Sequence, residues 1–468
     1  MYEAIIGIEV HVELKSNSKV FSHSENEFSK DANIYVNEID LGYPGVLPIL
    51  NKKVIEMALE ASLALNCNIN KVMHFDRKNY FYPDLPKGYQ ITQADTPIGY
   101  DGYIDIGEKV IGIERLHIEE DTCKSIHGKK GTLLNANRAG VPLIEIVSKP
   151  DMRSASDAVS YLTKLREILL YLGISDVKIE EGSMRCDCNV SIHKPNTPFG
   201  TKIEIKNIGS INNVGEAIKY EIKRQTEILE SGNTITHEET RRFDDKTMST
   251  ILMRVKETGN DYRYFPEPDI PYVIISDDWI NEVKANMPVF ASELKEKYKN
   301  LNVNENNIKT ITSRLDLCQF YESIVNLTDP VIAANLLTGD ILSYLNKNYI
   351  SINKIKLSKE TFIELVNNIK NDKISSKQSK ELIPYLIENG GSLDDAINKL
   401  GISLIGDKTL INDIVKKVLD NNPDSIKDFK DGHERALKFL MGQVMKESKG
   451  SINPKIANEI LADMIKMY

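Results

Sequence analysis

Apolar and polar residues alternate without a break in "IGIEVHVEL" at residues 6–14, the pattern of a strand with one buried face. Ile8, Val10, Val12 and Leu14 fall on one side, and Glu9, His11 and Glu13 on the other. "IGIERLHIEED" at 111–121 repeats the arrangement: Leu116 and Ile118 fix an apolar face and turn Arg115, His117 and Glu119 away from it, with Glu120 and Asp121 at the strand's end. In "VPLIEIVS" at 141–148 a single acid, Glu145, interrupts an otherwise apolar strand.

Helical periodicity is predicted near 52–65, near 154–172 with Ser154 as N-cap and Gly173 as the stop, and near 212–231. Gly- and Pro-rich turns such as "LGYPGVLPIL" separate the strands. The texture changes at Met287-Pro288, after which the period is almost wholly helical. The expectation is an α+β chain with a large first domain over 1–289 built on a mainly antiparallel sheet, a helical domain over 290–400, and a small helical tail over 401–468. In the tail, Leu437, Leu440, Met441, Val444 and Met445 form an apolar stripe expected to be core.

The length of 468 residues suits several domains, and no apolar run approaches the roughly 20 residues that span a bilayer. With no signal-peptide pattern at the N-terminus, the expected location is the cytoplasm. The net charge of −9 argues against general polyanion binding, so any nucleic-acid contact has to be local. The five cysteines form no CxxC pair, which indicates neither a disulfide framework nor a cysteine zinc site.

A lone carboxylate in an apolar strand is costly unless a cation or proton satisfies it. Glu9 with His11, Glu119 with its neighbours, and Glu145 therefore make a carboxylate-rich divalent-cation site if their strands converge. Oxygen ligation suits Mg²⁺, with Mn²⁺ as the alternative. A solvent-facing edge is the competing account of each strand taken alone. Phosphate-binding loops, dinucleotide fingerprints and kinase motifs are missing, as are GxSxG and any recognisable arrangement of a Cys or Ser beside a His. Lys446, Lys449 and Lys455 surround the turn "KESKGSINPK", where a solvated loop is the simplest reading.

Taken in order, "IGIEVHVEL", "LGYPGVLPILN", "FDRKNYFYPDLPKGYQIT", "RLHIEED", "PLIEIVSKPD", "DVKIEEGSMRCDCNVS", "FGTKIEIKN", "ETRRFDD", "DYRYFPEPD" and "FLMGQVMKESKGSINP" resemble the B subunits of the aspartyl/glutamyl-tRNA amidotransferases, the GatB family, over essentially the whole chain. The resemblance implies ATP- and Mg²⁺-dependent activation of the side-chain carboxylate of misacylated Glu-tRNA(Gln) or Asp-tRNA(Asn) to an acyl phosphate, which ammonia then attacks. It implies a cradle-shaped first domain and helical domains that grip tRNA, with Lys446, Lys449 and Lys455 as tRNA contacts. A separate amidase, the A subunit, would supply ammonia from glutamine, and a small third chain, the C subunit, would complete a heterotrimer. By the same resemblance Glu9, His11, Glu119 or Glu120, and Glu145 are metal-site residues, strand parity favouring Glu119 over Glu120. Arg185, Lys202 and Lys206 are expected at phosphate, and Lys78, Tyr82 and Lys87 on the wall of an ammonia channel. Some members of that family carry paired zinc-binding cysteines just after the first strand; "KVFSHSENEF" has none, and no structural zinc is expected.

Overall fold

A computed structural model describes residues 2–256, 262–402, 408–430, 434–448, 452 and 454–468. The chain forms two compact units, Met1–Phe290 and Ala291–Tyr468.

The first unit is organised by a nine-stranded sheet. In chain order its strands are β1 (Glu3–Glu13), β2 (Asn68–Ile69), β3 (Gly99–Asp105), β4 (Val110–Glu120), β5 (Pro142–Ser148), β6 (Met184–His193), β7 (Ile203–Lys206), β8 (Glu238–Asp244) and β9 (Ser249–Lys256). Across the sheet they run β9-β8-β7-β6-β1-β5-β4-β3-β2, so the first strand of the chain lies in the middle. The β7–β8 pair is parallel and the other pairs are antiparallel.

The apolar half of the alternation in β1 makes the core. Ile6, Ile8, Val10 and Val12 are fully buried, in one cluster with Val54 and Leu59 of helix α1 (Lys52–Ala64), Tyr161, Leu162 and Leu165 of α2 (Ala155–Leu172), and Val214 and Ile218 of α3 (Ile211–Glu230). Each such side chain contributes roughly 1.5–3 kcal/mol on burial, which holds the strand in one register because a slip by one residue would exchange its faces. Local signals set the helix ends. The Ser154 hydroxyl accepts from the Asp157 amide at 3.1 Å, and Gly173 closes α2 in the left-handed conformation with φ 72°.

Two smaller assemblies bear on the polar face. A three-stranded sheet joins Asp76–Asn79, Tyr89–Thr92 and Phe265–Pro266. Arg77 fastens it with a two-pronged bond to the buried Glu267 carboxylate at 2.6 and 2.8 Å, its guanidinium 4.3 Å above the Tyr89 ring. Gln93 ties this segment to β4, its side-chain oxygen accepting from the Ile118 amide at 3.0 Å. The segment after β1 is held by Lys19 and Asp40, a fully buried pair at 3.1 Å, with the hydroxyls of Ser22 and Ser24 donating to the same carboxylate at 2.6 and 2.7 Å.

The second unit is helical. Its helix Ser376–Asn389 opens with a capping box between Ser375 and Gln378. Ile411, Val415, Leu419, Leu440, Val444 and Leu461 share a buried core against which Leu437, Met441 and Met445 pack, as the stripe predicts. No helix among the described residues is long and apolar enough to cross a membrane.

Candidate active site

On the face of the sheet opposite the helices, strand register brings the interrupted pattern into line. β1 and β5 pair so that His11 faces Glu145, and β5 and β4 pair so that Glu145 faces His117. Residues directly opposite on antiparallel strands share a face, so these three form a row, with Glu119 one step diagonal to it. His11 Nε2 lies 3.3 Å from Glu119 Oε1 and 3.6 Å from Glu145 Oε2; His117 Nε2 lies 3.2 Å from Glu145 Oε2 and 3.8 Å from Glu119 Oε2. His117, Glu119 and Glu145 are buried.

Such burial would neutralise isolated carboxyls, and here the imidazoles prevent it. Burial raises the Glu145 carboxyl, but the charge and hydrogen bond of His117 more than reverse this and hold it down to about 2. The Glu119 carboxyl is likewise pushed up by burial and brought well below its ordinary value by hydrogen bonds from His11 and His117. Burial pushes His117 down, yet the Glu145 charge and bonds to both carboxylates lift it to about 9. Burial also pushes His11 down, and Glu119 more than reverses it.

A second acidic group adjoins the first. Register sets Glu9 opposite Asp187 on β6, and the carboxylates of Glu9, Asp187 and Glu204 offer oxygens within 4.8 Å of one another. Asn189 donates to Glu9 at 2.9 Å, and Lys206 bridges Asp187 and Glu204, 3.1 Å from the latter. Burial and then the Glu145 charge raise the Glu9 carboxyl. Above these groups opens a cleft of about 530 Å³ whose wall includes His11, Lys78, Glu119, Arg185, Asp187 and Lys206.

The donor set fits one divalent cation. Ligand atoms of His11, Glu119 and Glu145 also lie within 4.8 Å of one another, close enough to share an ion, and the two carboxylates are buried against imidazoles. Nδ1 of His117 is buried with no hydrogen-bond partner among the described residues, so that ring is held by its Nε2 side.

Comparison with known proteins decides the family. Residues 4–281 match the GatB/GatE catalytic domain and residues 319–465 the GatB domain. The chain is 47% identical over 469 residues to the B subunit of the aspartyl/glutamyl-tRNA(Asn/Gln) amidotransferase of Lactococcus lactis subsp. cremoris (strain MG1363), covering 98% of each chain. It is 46% identical over 472 residues to that of Geobacillus thermodenitrificans, with 99% of each covered, and 47% identical over 469 residues to that of Streptococcus mutans, with 98% of each covered.

The chain belongs to the GatB family, the B subunits of the aspartyl/glutamyl-tRNA(Asn/Gln) amidotransferases.

Within this GatB-family fold, the structure brings Glu9, His11, Glu119 and Glu145 onto one face, with Arg185 and Lys206 at the cleft wall. Arg185 is anchored by Asp121 at 2.6 Å. Glu120 does not join them. Next to Glu119 in the strand, it points to the opposite side, where its carboxylate pairs with Lys87 and accepts from the Ile91 amide at 2.9 Å. Lys202 precedes β7, is exposed, and is not among the residues lining the cleft. Lys78 lines the cleft, while Tyr82 lines a neighbouring pocket that Lys78 also enters, and Lys87 lines neither. Lys446 is exposed in the last turn of the helix Glu434–Glu447; Lys449 and the side chain of Lys455 lie outside the described residues.

His117, Asp187, Asn189 and Glu204 are the residues that sequence reasoning did not select. Alternation in "MRCDCNVS" carries Arg185, Asp187 and Asn189 on one face, and the same parity puts His117 beside Glu119, so both signals were present.

Proposed function

We propose that this protein activates the side-chain carboxylate of misacylated Glu-tRNA(Gln), Asp-tRNA(Asn) or both at the cleft over His11, Glu119 and Glu145. A carboxylate oxygen of the aminoacyl group takes the γ-phosphoryl group of ATP and ADP leaves. Ammonia then bonds to the acyl carbon, phosphate leaves, and a proton passes to solvent. The observation that carries this reading is the meeting of three strands' acid and imidazole groups beneath a cleft bordered by three cations, Lys78, Arg185 and Lys206.

Glu9, His11, Glu119 and Glu145 would hold Mg²⁺, or Mn²⁺ in its place. When bound, the cation neutralises phosphate oxygens during transfer. His117 keeps Glu145 ionised and fixed. Arg185, braced by Asp121, and Lys206, braced by Asp187 and Glu204, orient the phosphates from the wall. Ammonia would arrive from glutamine by way of the amidase partner, along a channel with Lys78, Tyr82 and Lys87 on its wall, and the small third chain would complete the heterotrimer. The helical tail, with Lys446, Lys449 and Lys455, would contact the tRNA body.

Glu145→Gln tests the reading because it keeps shape and removes charge. The assembled complex carrying it should hydrolyse glutamine normally, yet lose amidation of Glu-tRNA(Gln) and Asp-tRNA(Asn) with ATP, Mg²⁺ and either glutamine or ammonium. Wild-type amidation by this variant would overturn the assignment.

A further inference from the structure

His74, Asp76 and Asp95 form a further group of metal-binding side chains that shares no residue with the lining of the carboxylate cleft. One ligand atom from each lies within 4.8 Å of the other two. Register explains the meeting. Asp76 pairs with Thr92 at the end of the hairpin formed by Asp76–Asn79 and Tyr89–Thr92, so the chain entering the first strand and the chain leaving the second run side by side. Asp76 is buried, and its Oδ2 accepts from the Ala94 amide at 2.7 Å, which fixes the carboxylate. Asp95 is exposed at the rim.

The histidine carries the argument. Its Nε2 lies 3.1 Å from Asp76 Oδ1, yet this nitrogen is buried with no hydrogen-bond partner among the described residues, so the two atoms are close without being aligned for donation. On the other side of the ring, Nδ1 lies 3.1 Å from Thr96 Oγ1. That oxygen accepts from the His74 amide at 2.9 Å, and its own proton has an acceptor in the His74 carbonyl at 3.4 Å, which leaves a lone pair for Nδ1–H. The proton then sits on Nδ1, and Nε2 keeps its lone pair on the side of the two carboxylates. Metal-binding imidazoles are oriented in this way, by a hydrogen bond from the second ring nitrogen. A tetrahedral zinc ion with bonds of about 2.0 Å sets its ligand atoms about 3.3 Å apart, close to the 3.1 Å between Nε2 and Oδ1.

We infer that His74, Asp76 and Asp95 bind one Zn²⁺ ion, which clasps the open end of this hairpin. An imidazole nitrogen among the ligands favours Zn²⁺ over Mg²⁺, and the exposed Asp95 side leaves room for water as the fourth ligand. The strand that opens with Asp76 carries Lys78 to the cleft wall, so the ion braces that wall from outside the cleft. The site uses imidazole and carboxylates and is separate from the cysteine type of zinc site that this sequence lacks.

The test reads zinc content and stability in the full chain, with Glu145→Gln as the background because it removes a carboxylate from the cleft. After equilibration with Zn²⁺ and removal of the excess, the Glu145→Gln chain should retain one more equivalent than the same chain with Asp95→Asn or His74→Gln added. In competition with a chromophoric chelator, either added change should weaken this equivalent by about ten-fold or more. Zn²⁺ should also raise the Tm of the background chain by more than it raises that of either variant. Thr96→Val, which removes the acceptor at Nδ1, should weaken the same equivalent without abolishing it at saturation. Asp95 is exposed in a turn, so Asp95→Asn keeps the question open to measurement even if His74→Gln fails to fold. Equal zinc content and affinity with and without Asp95→Asn would overturn the inference, as would a Glu145→Gln chain that retains no Zn²⁺. Both chains carry the same cleft, so the difference between them stands whatever the cleft itself binds.

Discussion

His117 sits directly across the strand pair from Glu145, with Nε2 3.2 Å from Oε2 and both side chains closed off from solvent. The histidine is thus the counter-charge that makes a buried, ionised Glu145 tolerable.

Replacing His117 by Asn should leave Glu145 and Glu119 with too little positive charge nearby. Removing one partner of a buried pair costs roughly 3–5 kcal/mol. A large fall in Tm is expected for His117→Asn in the absence of divalent cation, with part of it recovered on adding Mg²⁺ or Mn²⁺. Thermal denaturation with and without the cation measures both effects, and an unchanged Tm would remove His117 from this role.

Arg77 and Glu267 make a second prediction, away from the cleft. Arg77→Ala strands the fully buried Glu267 carboxylate and should destabilise the first unit by about 3 kcal/mol or more. The double change Arg77→Ala with Glu267→Gln should be less damaging than Arg77→Ala alone, because no charge is then left unpaired. A double-mutant cycle by denaturant titration gives the coupling, and additive losses would contradict it.

Glu13, at the end of β1, carries the pH prediction. Burial raises its carboxyl to about 7, helped by the neighbouring Asp121 and opposed by Arg185 and Arg138. The native state therefore holds this proton more tightly than the unfolded chain. Stability contributed by it is full below the unfolded value of 4.5 and is lost as pH rises to about 7. Glu13→Gln, neutral throughout, should raise Tm relative to wild type at about pH 8 and by less at about pH 5. A gain of equal size at both values would refute the shift.

The tail lysines make the last prediction. Changing Lys446, Lys449 and Lys455 together to Ala should weaken tRNA binding and flatten its dependence on salt, since fewer phosphates are neutralised. Filter binding or anisotropy across a salt series reads both quantities. An unaltered slope would return these residues to the solvated-loop account.

The sequence is most informative where side chains alternate. The two faces of β1 and of β4, the Ser154 and Gly173 ends of α2, and the apolar stripe of the tail helix follow from spacing and capping alone, and the structure has them. What spacing cannot give is which strands lie side by side. Glu145 meets His11 and His117 because β5 lies between β1 and β4, a non-local choice made by the shared core. Asp187 escapes sequence reasoning for the same reason: alternation in β6 names a face, but only its pairing with β1 makes that face part of the cleft, and Glu204 joins it only through the pairing of β7 with β6. Glu120 shows the converse, where one residue of strand parity separates a cleft group from a partner of Lys87.

The central place of β1 also has a consequence in time. On a ribosome adding roughly 5–20 residues per second, His11 emerges before Glu145 and Arg185 and waits for both, the second of them far behind it in the chain. The interval is on the order of 10–35 s at that pace. Throughout it, a strand that will be flanked on both sides stands with two open edges and an uncovered apolar face, which is when a nascent chain is most exposed to wrong partners. His11 thus meets His117, Glu119 and Glu145 only once β5 has been made, and the Arg185 and Asp187 side of the cleft follows with β6.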